Sequence, residues 1–165
     1  MVNKIIVILV LAAAVVAGLY ILWPSDEARV RSALKEIAAA LDKSGNESTV
    51  DAIGKARRAV ALVEPGSTFE AFDKSFTLSS SAPDITQSVV AFRNMAANMH
   101  FEFEDISVKL SGDDRAEVTC DFLYTGDDFG LSVRDARALD DTLRKDPKSG
   151  RWRFARVRLS NIIEK

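Results

Sequence analysis

The sequence predicts an α+β domain, an antiparallel sheet packed against about three helices, carried behind a single membrane-spanning helix. Three observations predict it. Ile5–Trp23 is a run of 19 residues without a charge. Between Ser25 and Met99, three segments repeat their apolar residues with the 3.6 period of a helix. After Met99 the period changes to two, the signature of half-buried strands.

The uncharged run comes first. As a helix rising about 1.5 Å per residue it spans roughly 28 Å, close to a hydrocarbon core of about 30 Å. Lys4 precedes it, Tyr20 and Trp23 stand at its far end where amphipathic rings favour the interface, and Pro24 stops it. The predicted organisation is a tail over residues 1–4, an anchor over 5–23 and a domain over 24–165. A cleaved secretory signal is the competing reading, with Val15 and Ala17 as its small residues. Continuation of the run through Trp23 exceeds the roughly 7–15 residues of a signal core and favours an uncleaved anchor. A tail of four residues suits an anchor with the tail inside and the domain in the periplasm or outside the cell.

Composition narrows the function. The chain has 165 residues, 22 Lys and Arg against 24 Asp and Glu, one Cys and one His. One Cys excludes an internal disulfide and a cysteine zinc cluster, and one His excludes a multi-histidine metal centre. A net charge of −2 argues against a dedicated nucleic-acid binder. No metal and no cofactor is expected; the paired acids Asp113-Asp114 and Asp127-Asp128 lack the spaced ligands of a calcium loop.

Ser25 caps the first predicted helix, with Asp26 and Glu27 at its positive end; Val30, Ala33, Leu34, Ile37, Ala38 and Leu41 form its apolar stripe, and Gly45-Asn46 ends it. A second helix follows Ser48, with Ile53, Ala56, Val60 and Val63 on one face and Pro65-Gly66 as its stop. Phe69 and Phe72 suggest a helical turn before a short strand Phe76-Thr77-Leu78. Asp84 and Gln87 open a third helix with the stripe Ile85, Val89, Phe92, Ala96 and Met99.

Ile106, Val108 and Leu110 then alternate with polar residues, Ser111–Asp114 turns, and Ala116, Val118, Cys120, Phe122 and Tyr124 alternate with Glu117, Thr119 and Asp121. Residues 134–145 fit either a helix or a strand and are read as the hairpin partner of the last strand, which starts at Trp152 after the turn Asp146–Gly150.

The order helix, helix, short strand, helix, four strands resembles the nuclear transport factor 2-like, or SnoaL-like, superfamily from about Asp26 to Ile163. Two stretches carry the resemblance, LRKDPKSGRWRFARVRL and FEFEDISVKLSGDDRAEVTCDFLYTG. It implies a cystatin-like cone, a strongly curved sheet wrapped around the helices and enclosing a pocket. It also implies that catalytic members place an acid, a His or a Tyr inside the cone.

The pocket candidates are therefore Val118, Phe122, Tyr124, Trp152 and His100, with His100 placed at the end of the third helix. The apolar side of the central strand carries no carboxylate, since Glu117 and Asp121 point the other way. Cys120 reads as a small buried hydrophobe. Charge is polarised: residues 102–128 are acidic and residues 144–158 are basic. The candidate partner surface is Glu117, Asp121, Arg151, Arg153, Arg156 and Arg158; alternatively these strands neighbour one another and neutralise across the sheet.

Two functions follow. The first is a non-enzymatic, membrane-anchored binding or assembly module, acting on an envelope protein or a second copy of itself. The alternative is a pocket protein that binds or transforms a small, mostly apolar molecule.

Overall fold

The computed structural model describes residues 24–71, 74–77, 82–128 and 131–162. The predicted anchor, with Lys4, Tyr20 and Trp23, lies outside them. No helix among the described residues is long and apolar enough to cross a membrane.

Three helices, α1 (Asp26–Leu41), α2 (Thr49–Ala61) and α3 (Ala82–Arg93), accompany six strands: β1 (Val63–Ala71), β2 (Lys74–Thr77), β3 (Ala96–Ser111), β4 (Arg115–Asp128), β5 (Leu131–Lys145) and β6 (Trp152–Ile162). The strands form one sheet in the order β2-β1-β6-β5-β4-β3. Residues 134–145 are strand, as expected. The sheet is mixed rather than antiparallel, because β1 runs parallel to β6.

Helices cover one face. Val30, Ala33 and Leu34 of α1 share a core with Leu62, Ala116, Val118, Cys120, Leu139, Leu143, Trp152 and Phe154. This inner face is the apolar side of the β4 alternation. The outer face carries Glu117, Thr119, Asp140, Thr142, Arg156 and Arg158.

Local chemistry starts each helix. Ser25 accepts the amide of Ala28 at 3.2 Å. Ser48 accepts the amide of Asp51 at 3.1 Å and donates its own proton to the Asp51 carboxylate at 2.6 Å. Asp26 does more than favour the helix dipole. Its two oxygens each lie 2.9 Å from Lys145 Nζ, and Oδ1 also accepts the Trp152 indole N–H at 3.4 Å. The hydrogen bond from Lys145, foremost among several partners, holds the Asp26 carboxyl below its usual range. The start of α1 is thereby pinned to the β5–β6 hairpin.

Three boundaries differ from the sequence reading. Pro65-Gly66 does not stop α2, which ends at Ala61; the pair lies inside β1, where Gly66 takes φ +82° and the pairing with β6 shifts. Phe69 is strand, in register with Val157, rather than a helical turn. The third helix does not reach Met99. It ends at Arg93, and Ala96 and Met99 are buried residues of β3. Phe92, expected in the core, is 44% exposed.

The reason for the early end of α3 is a polar cluster at the far end of α1. Arg93 is fully buried, at 0% exposure. Its guanidinium donates to the carbonyls of Ala40, Leu41 and Asp42, the last turn of α1, which has no glycine cap. Its Nη2 also meets both carboxylate oxygens of Glu47 at 2.8 Å. Lys43 Nζ takes the carbonyls of Arg93 and Ala96 at 2.8 and 2.7 Å, and the Lys43 backbone bridges Met99 at the outer edge of β3. Once these carbonyls are engaged, α3 cannot continue.

Replacing Arg93 by Met leaves the carbonyls of Ala40 and Leu41 without this donor, and leaves the Glu47 carboxylate, 7% exposed, with Lys55 alone. Loss of one partner of a buried pair costs about 3–5 kcal/mol, and urea unfolding of R93M measures it. Burial raises the pKa of Glu47, but the hydrogen bonds of Arg93 and Lys55 outweigh it and hold the carboxyl below 4.5. The unfolded chain then binds the Glu47 proton first as pH falls. The contribution is complete above pH 4.5 and is lost as pH falls through the lowered folded value. R93M is expected to reduce that part of the acid slope, Lys55 keeping the remainder.

Candidate functional site

The inner face of the sheet is apolar in three steps along β4. Ala116, Val118 and Cys120 are buried beneath α1, followed by Phe122 and Tyr124. Phe101 and Phe103 of β3 join the last two. Ring centroids lie 5.8 Å apart for Phe101–Phe122, 5.1 Å for Phe101–Tyr124 and 5.6 Å for Phe103–Phe122. The Tyr124 hydroxyl lies over Gly126: a Cβ there would fall 2.1 Å from it.

Beneath α1, one residue of this face is a buried carboxylic acid. Asp141 of β5 pairs with Val118 on one side and Val157 on the other. Directly paired residues share a face, so the carboxyl points inward between Leu139 and Leu143. Asp141 is 4% exposed, and neither oxygen has a hydrogen-bond partner. Burial, reinforced by neighbouring Asp140, holds its pKa well above the usual aspartate range. Ser67 of β1, 1% exposed, is a second buried hydroxyl without a partner.

Cys120 pairs with Leu139, one step along the same face. Burial, with the Asp141 charge next in weight, pushes its thiol up to about 12. It is therefore a buried thiol rather than a nucleophile. Toward the other end, the half-buried Arg137 lies beside Phe122 and meets Asp135 at 2.8 Å.

The structure divides the predicted pocket set. Val118, Phe122 and Tyr124 share the inner face. Trp152 lies at its closed end, with its indole given to Asp26 and Lys145 Nζ 5.8 Å from the ring centroid. His100 is corrected twice. It lies in β3 rather than at a helix end, and it stands on the side opposite Phe101. There it is 63% exposed, with Nδ1 3.3 Å from Asp42 Oδ2 and Nε2 3.9 Å from Glu102. It borders a polar cleft of about 520 Å³ with Lys43, Lys55, Asn98 and Asp127.

The predicted partner surface is also divided. Glu117, Arg156 and Arg158 share a hollow of about 240 Å³ with Asp140, Asp141 and Thr142, a group that does not include Asp121. Arg151 turns toward Arg29 and Glu36 of α1, and Arg153 meets Asp146 at 3.2 Å. Arg156 and Arg158 both bind Glu70 of β1, at 2.7 and 2.8 Å, and these bonds hold the Glu70 carboxyl low. The basic strand is thus neutralised across the sheet, but from β1. β5 separates it from the acidic β4.

Among the described residues no group of three or more His, Cys, Asp or Glu is placed to hold a metal ion. Asp141 was the residue missed by the sequence reading. Its signal was present: Leu139 and Leu143 mark the inner face of β5, and a period of two places Asp141 between them.

No family model matches the chain, and no curated protein matches it. Solved structures do. A candidate scytalone dehydratase from Novosphingobium aromaticivorans is 13% identical, with a TM-score of 0.63 over 82% of this chain and 82% of that one. A candidate dehydratase of the nuclear transport factor 2-like family from Streptomyces avermitilis is 14% identical, with a TM-score of 0.62 over 82% of this chain and 95% of the other. A protein of unknown function with a cystatin-like fold from Nostoc punctiforme is 11% identical, with a TM-score of 0.59 over 85% and 92%. The fold is therefore the α+β, cystatin-like fold of the nuclear transport factor 2-like and SnoaL-like proteins.

Asp141 sets a testable pH dependence. The unfolded chain ionises this carboxyl near 3.8 while the folded chain keeps it protonated, so above 3.8 the unfolded state binds fewer protons. Stability is lost as pH rises from there until the folded carboxyl itself ionises. D141N removes the term, so its stability relative to the wild type is expected to grow between pH 4 and pH 8 in chemical denaturation. D141L, which also removes an unsatisfied buried group, is expected to gain about 1–3 kcal/mol.

Proposed function

We propose that this chain is a pocket protein whose inner sheet face receives a small, mostly apolar molecule. One observation carries the reading. Asp141 is a buried carboxyl with no hydrogen-bond partner among the described residues, set between Leu139 and Leu143. Such a group is costly to the fold, and a site that destabilises its own protein is a mark of function. Held neutral by burial, Asp141 donates a hydrogen bond to a carbonyl or hydroxyl oxygen, while Val118, Leu139 and Phe122 contact the carbon skeleton. A protonated carboxyl at that point could also transfer its proton to a departing hydroxyl. The dehydratase names of two structural neighbours support a hydroxylated ligand.

The assembly reading has less behind it, because Arg156 and Arg158 are already engaged by Glu70. Attachment to a membrane remains part of the proposal through the uncharged run at 5–23, with the domain on the outer side. Resistance of the full-length chain to carbonate extraction tests it.

The pocket is tested by thermal shift of the full-length protein with apolar ketones and secondary alcohols. A ligand at 100 times its Kd stabilises the fold by about 2.7 kcal/mol. The shift is expected with the wild type, reduced with D141N and absent with D141L. An equal shift in D141L would remove Asp141 from the site and this reading with it.

A further inference from the structure

A second cleft lies away from Asp141, between α2 and α3. Its volume is about 700 Å³, within the roughly 300–1,000 Å³ of small-molecule sites. Ile53 and Val60 of α2, Ile85 and Val90 of α3, and Val63 and Pro65 of β1 line it. The neighbouring stripe of α2, Ala52, Ala56 and Ala59, is buried in the fold. The two helices therefore leave their larger apolar residues facing an open groove.

Charge in this groove is specific. Ile53, Arg57 and Val60 follow a spacing of four and three and stand on one face of α2. Arg57 thus sits inside an apolar stripe, and among the described residues no hydrogen bond or ion pair engages it. Arg153 enters from β6. Its Nη1 binds Asp146 at 3.2 Å, but its Nε is buried and unsatisfied. Glu64 is the one carboxylate among the lining residues, so two guanidinium groups face one acid.

We propose that the α2–α3 cleft binds a single-chain amphipathic monoanion. Its hydrocarbon chain lies on Ile53, Val60, Ile85 and Val90, and its head group lies between Arg57 and Arg153. A guanidinium is suited to a carboxylate by its forked donors. A dianion is disfavoured by Glu64. The inference is independent of the Asp141 pocket.

The test is photocrosslinking of the full-length chain with a ten-carbon carboxylate bearing a diazirine at its tail, mapped by peptide mass spectrometry. Labelling is expected on α2 and α3 and is competed by decanoate. It is expected to fall at least tenfold in R57E, to rise in E64Q and to be at least tenfold weaker for the same probe with an amine head. Arg57 has no partner to lose, so R57E keeps the wild-type melting temperature. Equal labelling by the amine probe, or no loss in R57E, overturns the proposal. Labelling of β4 and β5 that disappears in D141L overturns it by moving the ligand to the inner face. Competition by phosphatidylglycerol vesicles but not by decanoate overturns it in favour of a two-chain membrane lipid.

Discussion

The guanidinium of Arg93 ties the end of α3 to the end of α1 and to the turn into α2. It is a charge with no access to water, and such a charge is tolerable only when its donors are matched. Three carbonyls at the end of α1 and the carboxylate of Glu47 match them. The same contact caps α1, fixes the turn into α2 and ends α3 where β3 must begin. Lys43 and Lys55 extend it, the first to the carbonyls of Arg93 and Ala96, the second to Glu47 at 2.9 Å. At the other end of α1, Asp26, Lys145 and Trp152 form a smaller counterpart. Helix α1 is thus fastened to the sheet at both termini, and its apolar stripe is held over the inner face.

That arrangement gives the two faces of the sheet different chemistry. The outer face satisfies its own charges: Glu70 takes both Arg156 and Arg158, and Glu117 takes Arg115 at 3.4 Å. Such exposed pairs add little to stability, but they leave less unpaired charge for a partner. The inner face is the reverse. Its walls are apolar, and its one buried acid lacks a partner. In a core of this kind an unsatisfied carboxyl costs more than most single contacts contribute. Its retention is best understood through a ligand.

Much of the fold was legible because its signals are local. Capping serines, the 3.6-residue stripe of α1 and the alternation of β4 follow from the geometry of one element. The β4–β5–β6 meander was legible from its turns, including Asp146, whose carboxylate accepts the amides of Lys148 and Ser149 at 2.9 and 2.8 Å. The errors fell where a distant residue decides. Phe69 and Pro65-Gly66 look like a helix end and a helical turn until β6 arrives as a parallel partner. Ala96 and Met99 extend the period of α3 until Lys43 takes the carbonyls of Arg93 and Ala96 and pairs through its backbone with Met99. The site was half legible. The apolar wall of Val118 and Phe122 follows from alternation, and Trp152 lies in the same core, whereas His100 stands on the other side of β3.

The sequence by itself determined the α+β class of the domain and the inner and outer sides of β4, because these depend on residue spacing alone; the inward direction of Asp141 followed once residues 134–145 were strand. Tertiary structure decided the parallel place of β1, the end of α3, the neutralisation of Arg156 and Arg158 by Glu70 rather than by β4, and the absence of any donor for Asp141. Each of these is a pairing between residues far apart in the chain. Periodicity says which way a side chain faces; only the packed fold says what it meets there.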